Sequence, residues 1–358
     1  MIESIRLVKL VTFGRMPRIF ENVNAFVRTS LVQLNLPFIF GCKCVGLLFF
    51  IFICVAVNAQ SNFRRYTYTH PQMGTVFKLV FYTDKDSSFA NNIAAQVFIR
   101  VDSLNAVYSD YLPESELSRL SDKAGSGEKV KVSADLWKIL QLSKKYSHAS
   151  NGAFDITVGA TTRLWRKARN MKELPDSSQV SKAVMTVGYQ SILLKKGRYV
   201  MLEKKGTRLD LGGIAQGFAA DECLKMLKKA GIRKALADAG GDIALGDPPP
   251  DAAGWTIERA TGRAGEQATE ILVLSNCGIT TSGAQYRYFE SGGIRYSHIV
   301  NPRTGWGMTH RNLVTVKAPD AVTADAWATA LSVMSEQEWL TLQRKHRELK
   351  VWIAVMNL

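Results

Sequence analysis

The sequence predicts a globular fold that mixes β-strands and α-helices in its main body. With 358 residues and a hydrophobic fraction of 46%, the chain can bury a substantial core. After residue 70, strand-like runs alternate with amphipathic helical patterns, and no periodic repeat divides them. Length alone allows one large domain or two small ones.

The first strand is predicted over residues 73–82, MGTVFKLVFY, which is rich in β-branched and aromatic residues. An amphipathic helix follows, because Ile93, Val97, Val101 and Leu104 recur at helical spacing.

A second helix is predicted to begin at the cap candidate Ser133 and to end near Gly152. Its buried side would carry Leu136, Ile139 and Leu140.

The segment 208–231, RLDLGGIAQGFAADECLKMLKKAG, predicts a short strand, a glycine turn at Gly212 and Gly213, and a helix. Free N–H groups at such a helix start favour a phosphate. It is not a P-loop, since Phe218 and Ala219 stand where Lys and Ser/Thr are needed. Taken alone, the pattern is more typical of a tight strand-to-helix connection than of an anion site.

Near the C-terminus, Asp325, Ala328 and Thr329 lie at i, i+3 and i+4 of a predicted helix. A carboxylate, a carbonyl and a hydroxyl are hard oxygen donors of the kind that binds magnesium. An alanine-rich buried helix needs no ligand, so the spacing by itself favours a structural role.

The N-terminus predicts an export signal. Residues 45–57 are thirteen uninterrupted apolar or glycine residues, preceded by basic residues and followed by Val57-Asn58-Ala59. This length fits a signal peptide and is below the roughly 18 residues of a membrane span.

We expect a leader over residues 1–59 with cleavage after Ala59. The leader before the apolar run is longer than usual for a signal peptide, so a start at Met16 and an uncleaved anchor are the alternatives. All of them place the body in the periplasm or on the outer face of the inner membrane.

The formal charge of +15 suits an anionic substrate or membrane surface. No basic tract interleaved with aromatics, zinc finger or basic zipper is present, which argues against nucleic-acid binding. Only Cys223 and Cys277 lie outside the leader, so no disulfide framework is expected. One bridge between them is an alternative to Cys223 packing as a small apolar residue.

Eight segments, in chain order, resemble the motifs of the FAD:protein FMN transferases, the ApbE family. They are MGTVFKLVFY, YSDYLPESELSRL, NGAFDITVG, LDLGGIAQGFAAD, DAGGDIALGDPPP, TTSGAQYRYFE, RYSHIVNPRTG and APDAVTADAWATALSVM. The resemblance implies a single α+β, T-fold-like domain over residues 60–358, with antiparallel sheets packed by helices around a central FAD cleft.

The resemblance also implies an exported Mg²⁺ enzyme that takes FAD as its substrate. Such an enzyme attaches FMN through a phosphoester to a threonine hydroxyl of a target protein and releases AMP. The expected acceptor is a membrane redox subunit on the same side, which membrane association would suit. A Mg²⁺-dependent FAD pyrophosphatase and a non-catalytic exported flavin-binding protein are the alternatives.

The family motifs assign roles to individual residues by resemblance. Those expected around FAD are Met73, Tyr111, Ala153, Phe154, Asp155, Asp210, Gln216 and Ile299. The expected Mg²⁺ ligands are the side chains of Asp325 and Thr329 and the carbonyls of Gly213 and Ala328. His298, together with Asp325, is the expected catalytic residue; by itself a lone histidine is more typical of a structural role.

Three positions depart from the family pattern. Gln216 stands where a lysine is common, Ala284 where an acidic residue often follows TSG, and Asn301 where an aspartate usually precedes PRTG. The metal donors are retained, whereas pyrophosphate binding or acceptor choice would be altered.

The leader gives the first testable prediction. Expressed with its own N-terminus in a bacterial host, the protein should be found beyond the inner membrane, shortened to begin near Gln60, because the apolar run in residues 45–57 matches a cleaved signal. Cell fractionation and N-terminal sequencing measure this. Full-length protein in the soluble cytoplasmic fraction would contradict export, and full-length protein in the membrane fraction would indicate an anchor.

Overall fold

A seven-stranded antiparallel sheet lies at the centre of the fold. The computed structural model describes residues 62–261, 269–283, 288–310 and 312–355. The predicted leader and Ala284 lie outside the described residues. From Phe63 onward, the described residues fall into one unit. Among them, no helix combines the length and apolar character needed to cross a bilayer.

The strands are numbered in chain order. They are β1 (Arg64–Gln72), β2 (Thr75–Thr83), β3 (Val130–Lys131), β4 (Ile192–Lys195), β5 (Tyr199–Leu202), β6 (Ala235–Ala239), β7 (Asp242–Leu245), β8 (Trp255–Ala260), β9 (Thr269–Leu274), β10 (Cys277–Gly283), β11 (Tyr288–Ser291), β12 (Ile294–Ser297), β13 (Asn312–Ala318) and β14 (Lys350–Val355). The central sheet has the order β1-β2-β6-β7-β10-β13-β14, and β3-β5-β4, β8-β9 and β11-β12 form smaller sheets.

The helices pack mainly on one face of this sheet. They are α1 (Ser87–Tyr108), α2 (Glu116–Asp122), α3 (Ala134–Ala149), α4 (Gly159–Met171), α5 (Ser177–Val184), α6 (Ala215–Lys229), α7 (Ala321–Leu331) and α8 (Glu336–Gln343). This mixture of helices and antiparallel sheets confirms the predicted α+β class.

Both faces of the central sheet are buried, which explains why its strands carry apolar residues on both sides. Leu79 and Phe81 of β2 belong to the large core shared with the helices. Val80, between them, points to the opposite face and packs in a second cluster with Trp255 and Ile257 of the β8-β9 hairpin. The sheet is therefore a rigid support covered by helices on one side and by a hairpin on the other.

Helix α7 is buried nearly all round, as expected for a core helix. It approaches α6 so closely that a Cβ added to Gly217 would lie 2.4 Å from the Ala321 carbonyl oxygen. On the sheet side, a Cβ added to Gly278 of β10 would lie 2.2 Å from the Ala321 nitrogen. Glycine is required at both positions, and the start of α7 is held between α6 and β10.

The predicted helices are confirmed with small changes of boundary. Helix α1 buries the predicted apolar face, and α3 begins after Ser133, whose hydroxyl accepts the Leu136 N–H at 3.1 Å. The predicted strand 73–82 begins two residues later, because Met73 and Gly74 form the turn between β1 and β2.

The fold contradicts two other expectations, one about a strand and one about a disulfide. The strand expected after Arg208 is wrong, since this segment makes only one isolated bridge, to Val158. Cys223 and Cys277 are both free and buried, so the bridge between them is wrong as well. They lie in the two different cores, on opposite faces of the sheet.

Asp221 of α6 holds the start of α7. Its two carboxylate oxygens accept the N–H groups of Ala321 and Val322, each at 2.9 Å. Burial raises the pKa of Asp221 to about 7, although these two bonds lower it. The carboxylate thereby supplies acceptors to N–H groups that the first turn of a helix cannot satisfy internally.

This pKa predicts how stability depends on pH. Asp221 titrates higher in the folded than in the unfolded protein, so its contribution is full below about pH 4 and is lost as pH rises through about 7. In metal-free protein, the Tm should fall between about pH 5 and about pH 8, and less so in Asp221→Asn. Thermal unfolding with a chelator measures this. An equal pH slope in both proteins would contradict the assignment.

Candidate functional site

Asp325 is a carboxylate within a buried core helix. The residue is only 4% exposed, and its Oδ2 accepts the Gly217 N–H at 3.1 Å. Burial, followed by the negative charge of Asp242, raises the pKa of Asp325 well above its ordinary value. A carboxylate in such surroundings is costly in its charged form unless a cation compensates it.

Asp242 is a second buried carboxylate, and its negative charge acts on Asp325. It sits in β7 directly opposite Thr280 of β10. Burial raises the pKa of Asp242 to about 7. The Thr280 side chain favours the ionised form of Asp242, yet its buried hydroxyl has no partner at hydrogen-bonding geometry in the described part of the chain. Sequence reasoning missed Asp242, whose only signal was its position after the Gly240-Gly241 pair.

Thr329 lies against the glycine turn, as the predicted metal site requires. A Cβ added to Gly213 would lie 2.8 Å from the Thr329 Oγ1, so only glycine allows this approach. The Gly217 N–H donates to Asp325 and does not close a helical bond to the Gly213 carbonyl four residues earlier. Asp325, Thr329 and the Gly213 backbone are thus brought together where α6 meets α7.

The Ala328 carbonyl, also predicted as a metal ligand, is already engaged. It accepts the Ser332 N–H at 3.1 Å and the Ser332 hydroxyl at 2.8 Å. A carbonyl has two lone pairs, so it would have to release one of these bonds to bind a metal. Its role as a ligand remains a prediction.

The donors around Asp325 fit a hard cation such as Mg²⁺. Carboxylate, hydroxyl and carbonyl oxygens are its usual protein ligands, and the unpartnered Thr280 hydroxyl and the Asp242 carboxylate add polar groups that a cation would stabilise. Within the described ranges, no group of three or more His, Cys, Asp or Glu side chains is placed to hold a metal. A site here would therefore depend on hydroxyl, carbonyl and substrate oxygens as well as on Asp325.

The expectation of free N–H groups at the glycine turn is only partly correct. The Gly212 N–H donates to Asp210 Oδ1 at 2.8 Å, and the Gly217 N–H donates to Asp325. The sequence contains both acceptors, but their partners became visible only in the fold. Fewer donors are left for a phosphate than the glycine pattern suggests.

Met73 and Gln216 lie together beside the first turn of α6. The Gln216 amide donates to the Met73 carbonyl at 3.3 Å, and the Met73 N–H donates to the Gln72 side chain at 3.1 Å. Met73 has φ of 52°, in the left-handed region that is unfavourable for a residue with a side chain. Such backbone strain is concentrated at functional sites.

Asp210 and Tyr111 are brought together by Arg166 of α4. The Asp210 Oδ2 accepts from Arg166 Nη2 and from the Thr162 hydroxyl, both at 2.7 Å. The Arg166 guanidinium carbon lies 4.1 Å from the centre of the Tyr111 ring. Asp110, next to Tyr111, forms the second ion pair of Arg166.

The three residues of the AFD motif are buried. Ala153 and Phe154 are at most 3% exposed. Asp155 accepts the N–H groups of Thr157 and Tyr189, each at 2.8 Å, and burial raises its pKa. The Asp155 carboxylate thus orders its own loop, and any contact of this motif with FAD stays a prediction.

Helix α4 contacts the glycine-turn segment at Asp210 and the NPRTG turn at Gly305, and the AFD loop bonds directly to the glycine-turn segment. The Asp210 N–H donates to the Ile156 carbonyl at 2.8 Å. Trp165 donates from its indole N–H to the Gly305 carbonyl, also at 2.8 Å.

His298 is exposed, between the buried residues Ser297 and Ile299. Its hairpin borders an open cavity of about 420 Å³, lined by Tyr296, Asn301, Thr304, Trp306, Gly307, Met308 and Thr309. Tyr296 and Trp306 pack against Trp165 with ring centres 5.1 Å and 5.7 Å away. His298 is therefore exposed two residues along the chain from Tyr296 in the cavity wall, although it does not itself line the cavity.

Curated relatives match this chain along most of their length. The FAD:protein FMN transferase of Treponema pallidum is 29% identical over 324 residues, covering 85% of this chain and 89% of that protein. A protein of the same name from Klebsiella pneumoniae is 30% identical over 275 residues, covering 74% and 77%.

Solved structures share the fold. The ApbE protein of Thermotoga maritima matches with a TM-score of 0.73 and 28% identity, covering 82% of this chain and 94% of that one. The flavin transferase ApbE of Vibrio cholerae matches with a TM-score of 0.73 and 25% identity over the same shares. The model of the ApbE family matches residues 73–353. This chain, with its glycine turn packed on a buried aspartate helix, belongs to the ApbE family.

Proposed function

We propose that this protein is an exported, Mg²⁺-dependent FAD:protein FMN transferase that attaches FMN to a threonine hydroxyl of an acceptor protein. The observation that carries the proposal is the buried Asp325, which accepts the Gly217 N–H and feels the negative charge of Asp242, on the helix whose Thr329 packs against Gly213. Two like charges in the core call for a cation, and phosphoryl transfer is a reaction that requires one. Family membership supplies FAD as the substrate and a protein as the acceptor.

In this reaction the acceptor oxygen attacks the phosphorus of the FMN half of FAD. The bond from that phosphorus to the bridging oxygen breaks, AMP leaves, and the hydroxyl proton must be accepted. His298 is exposed beside an open cavity and is the candidate for relaying this proton. Bound Mg²⁺ would supply compensation for the charge that develops on the pyrophosphate oxygens.

The remaining site residues would position FAD. Gln216 and Met73 lie next to the start of α6, where a pyrophosphate would meet the helix N-terminus. Tyr111 and Asp210 are both held by Arg166. The acceptor would enter on the His298 side, and a membrane redox subunit is the class of acceptor we expect.

The proposal is tested by incubating the purified protein with FAD, Mg²⁺ and a threonine-containing acceptor peptide, followed by mass spectrometry. The expected product is the peptide carrying one FMN, together with AMP. Free FMN and AMP with an unmodified peptide would indicate a pyrophosphatase instead. FAD that binds but stays intact in the presence of Mg²⁺ would indicate a flavin-binding protein without this activity.

Asp325→Ala should lower the turnover number by about 100-fold or more while FAD still binds, because the loss falls on transition-state charge rather than on flavin contacts. Turnover at limiting Mg²⁺ and FAD titration measure the two effects. Asp320→Asn is the matched control, since it changes an exposed carboxylate of the same helix whose oxygen caps Thr323. Near-normal turnover of Asp325→Ala at limiting Mg²⁺ would rule out the metal assignment.

Gln216→Lys should tighten FAD binding several-fold, because a charge-assisted bond to phosphate is stronger than a neutral one by about 1 kcal/mol. The gain should shrink as salt rises. FAD titrations at low and high ionic strength measure both effects, and Gln216→Met separates charge from side-chain length. Unchanged or weaker binding of the lysine variant at low salt would mean that position 216 does not face the pyrophosphate.

A further inference from the structure

Arg166 connects two parts of the candidate site through a pair of partly buried ion pairs. Its Nη2 donates to Asp210 Oδ2 at 2.7 Å, and its Nη1 donates to Asp110 Oδ2 at 2.5 Å. The Asp110 and Asp210 side chains are only 7% and 10% exposed. The partly buried guanidinium is thus a clamp, that is, a double ion pair that joins the glycine-turn segment to the segment carrying Tyr111.

The two carboxylates need this cation. Burial, and next the negative charge of Asp210, raise the pKa of Asp110, while Arg166 lowers it. Without Arg166 the two charges would repel each other in a poorly solvated place. Arg163 also lowers the pKa of Asp110, so two guanidinium groups balance the two carboxylates. This part of the site thus has no excess positive charge for a pyrophosphate and suits an uncharged group.

Tyr111 rests on this clamp. The Arg166 guanidinium lies over the ring at 4.1 Å, while Tyr111 remains 67% exposed. The Asp110 backbone is also held from α4, because Arg163 Nη2 donates to the Asp110 carbonyl at 3.1 Å. A large aromatic ring fixed on one face and open to solvent on the other is suited to stack a planar ligand.

We propose that Arg166 is a positioning and specificity-determining residue, which holds Tyr111 as the stacking surface for a planar ring of FAD. The inference rests on the proposed function, because it takes FAD as the ligand. Arg166 acts through Tyr111 and Asp210, since its Nη1 and Nη2 donate to the two carboxylates and its guanidinium plane lies over the ring. FAD contains two planar rings, and the probes below distinguish the flavin ring from the adenine ring.

The test compares wild type with Arg166→Lys, which keeps the charge but loses the planar stacking and the two-armed hydrogen bonding. Riboflavin and ADP are titrated separately, each carrying one of the two rings. We expect the affinity for one probe to fall about tenfold and that for the other to change less than about twofold. An Arg166→Lys variant that binds both probes as the wild type does would overturn the proposal.

A double-mutant cycle shows whether Arg166 acts through the ring. Tyr111→Leu should weaken the same probe, and adding Arg166→Lys to Tyr111→Leu should cause little further loss. Additive losses would mean that Arg166 has only a general structural role, and would overturn the proposal. Lys167→Met, an exposed change on the same helix, is the control and should bind both probes normally.

Two further readouts separate positioning from stability. In the transferase assay, Arg166→Lys should raise the KM for FAD about tenfold and change kcat less than about threefold. If the flavin ring stacks on Tyr111, bound riboflavin should also be less quenched in this variant. Should Arg166→Lys fail to fold, Arg166→Gln and the fluorescence of riboflavin bound to Tyr111→Leu decide the question.

The two proposals can fail independently. Probe binding that depends on the Arg166 and Tyr111 pair, in a protein that transfers no FMN, would leave the inference standing and contradict the function. Normal FMN transfer by Arg166→Lys, with unchanged KM and unchanged probe affinities, would support the function and contradict the inference about Arg166.

Discussion

The close packing of α6 on α7 is the constraint on which the rest of the structure depends. At Gly217 the two helices are so near that a single methyl group would collide with backbone atoms, and the sheet closes in from the other side at Gly278. Backbone cannot move aside as a flexible side chain does. This contact buries Asp325, directs the Gly217 N–H to its carboxylate, and brings Thr329 against Gly213. A helix pair with ordinary side chains at the interface would separate these groups.

Three buried carboxylates around this contact have different degrees of compensation. Asp221 uses both oxygens to accept the N–H groups that begin α7, so both oxygens of its carboxyl group are hydrogen-bonded within the fold. Asp325 accepts one N–H, that of Gly217. Asp242 lies opposite Thr280, whose hydroxyl makes no hydrogen bond of normal geometry within the described residues. Burial raises the pKa of all three. Asp325 and Asp242 therefore have few hydrogen bonds to compensate a negative charge. Such poorly compensated carboxylates in a core are more typical of functional sites than of groups that only stabilise the fold.

Periodic features were predictable from the sequence, and contacts across the fold were not. The apolar face of α1, the Ser133 cap and the i, i+4 placement of Asp325 and Thr329 follow from helical geometry. The relation of Asp242 to Asp325 depends on sheet register and on how α7 lies over β7 and β10. That of Arg166 to Asp110 and Asp210 depends on where α4 is anchored. Neither contact can be predicted from residue spacing in the sequence, because each joins segments that are far apart along the chain.

The wide separation of the site residues also has a consequence for how the protein is made. Met73 lies in the first hairpin and Thr329 in the last core helix, and β13 adds the strand that lies beside β10 late in the chain. Contacts between such distant segments form late in folding, after the costly closure of long loops. A growing chain would therefore have no assembled nucleotide site until nearly all of it had been synthesised. FAD could then bind only to the finished domain, and binding would select complete molecules over partly folded ones.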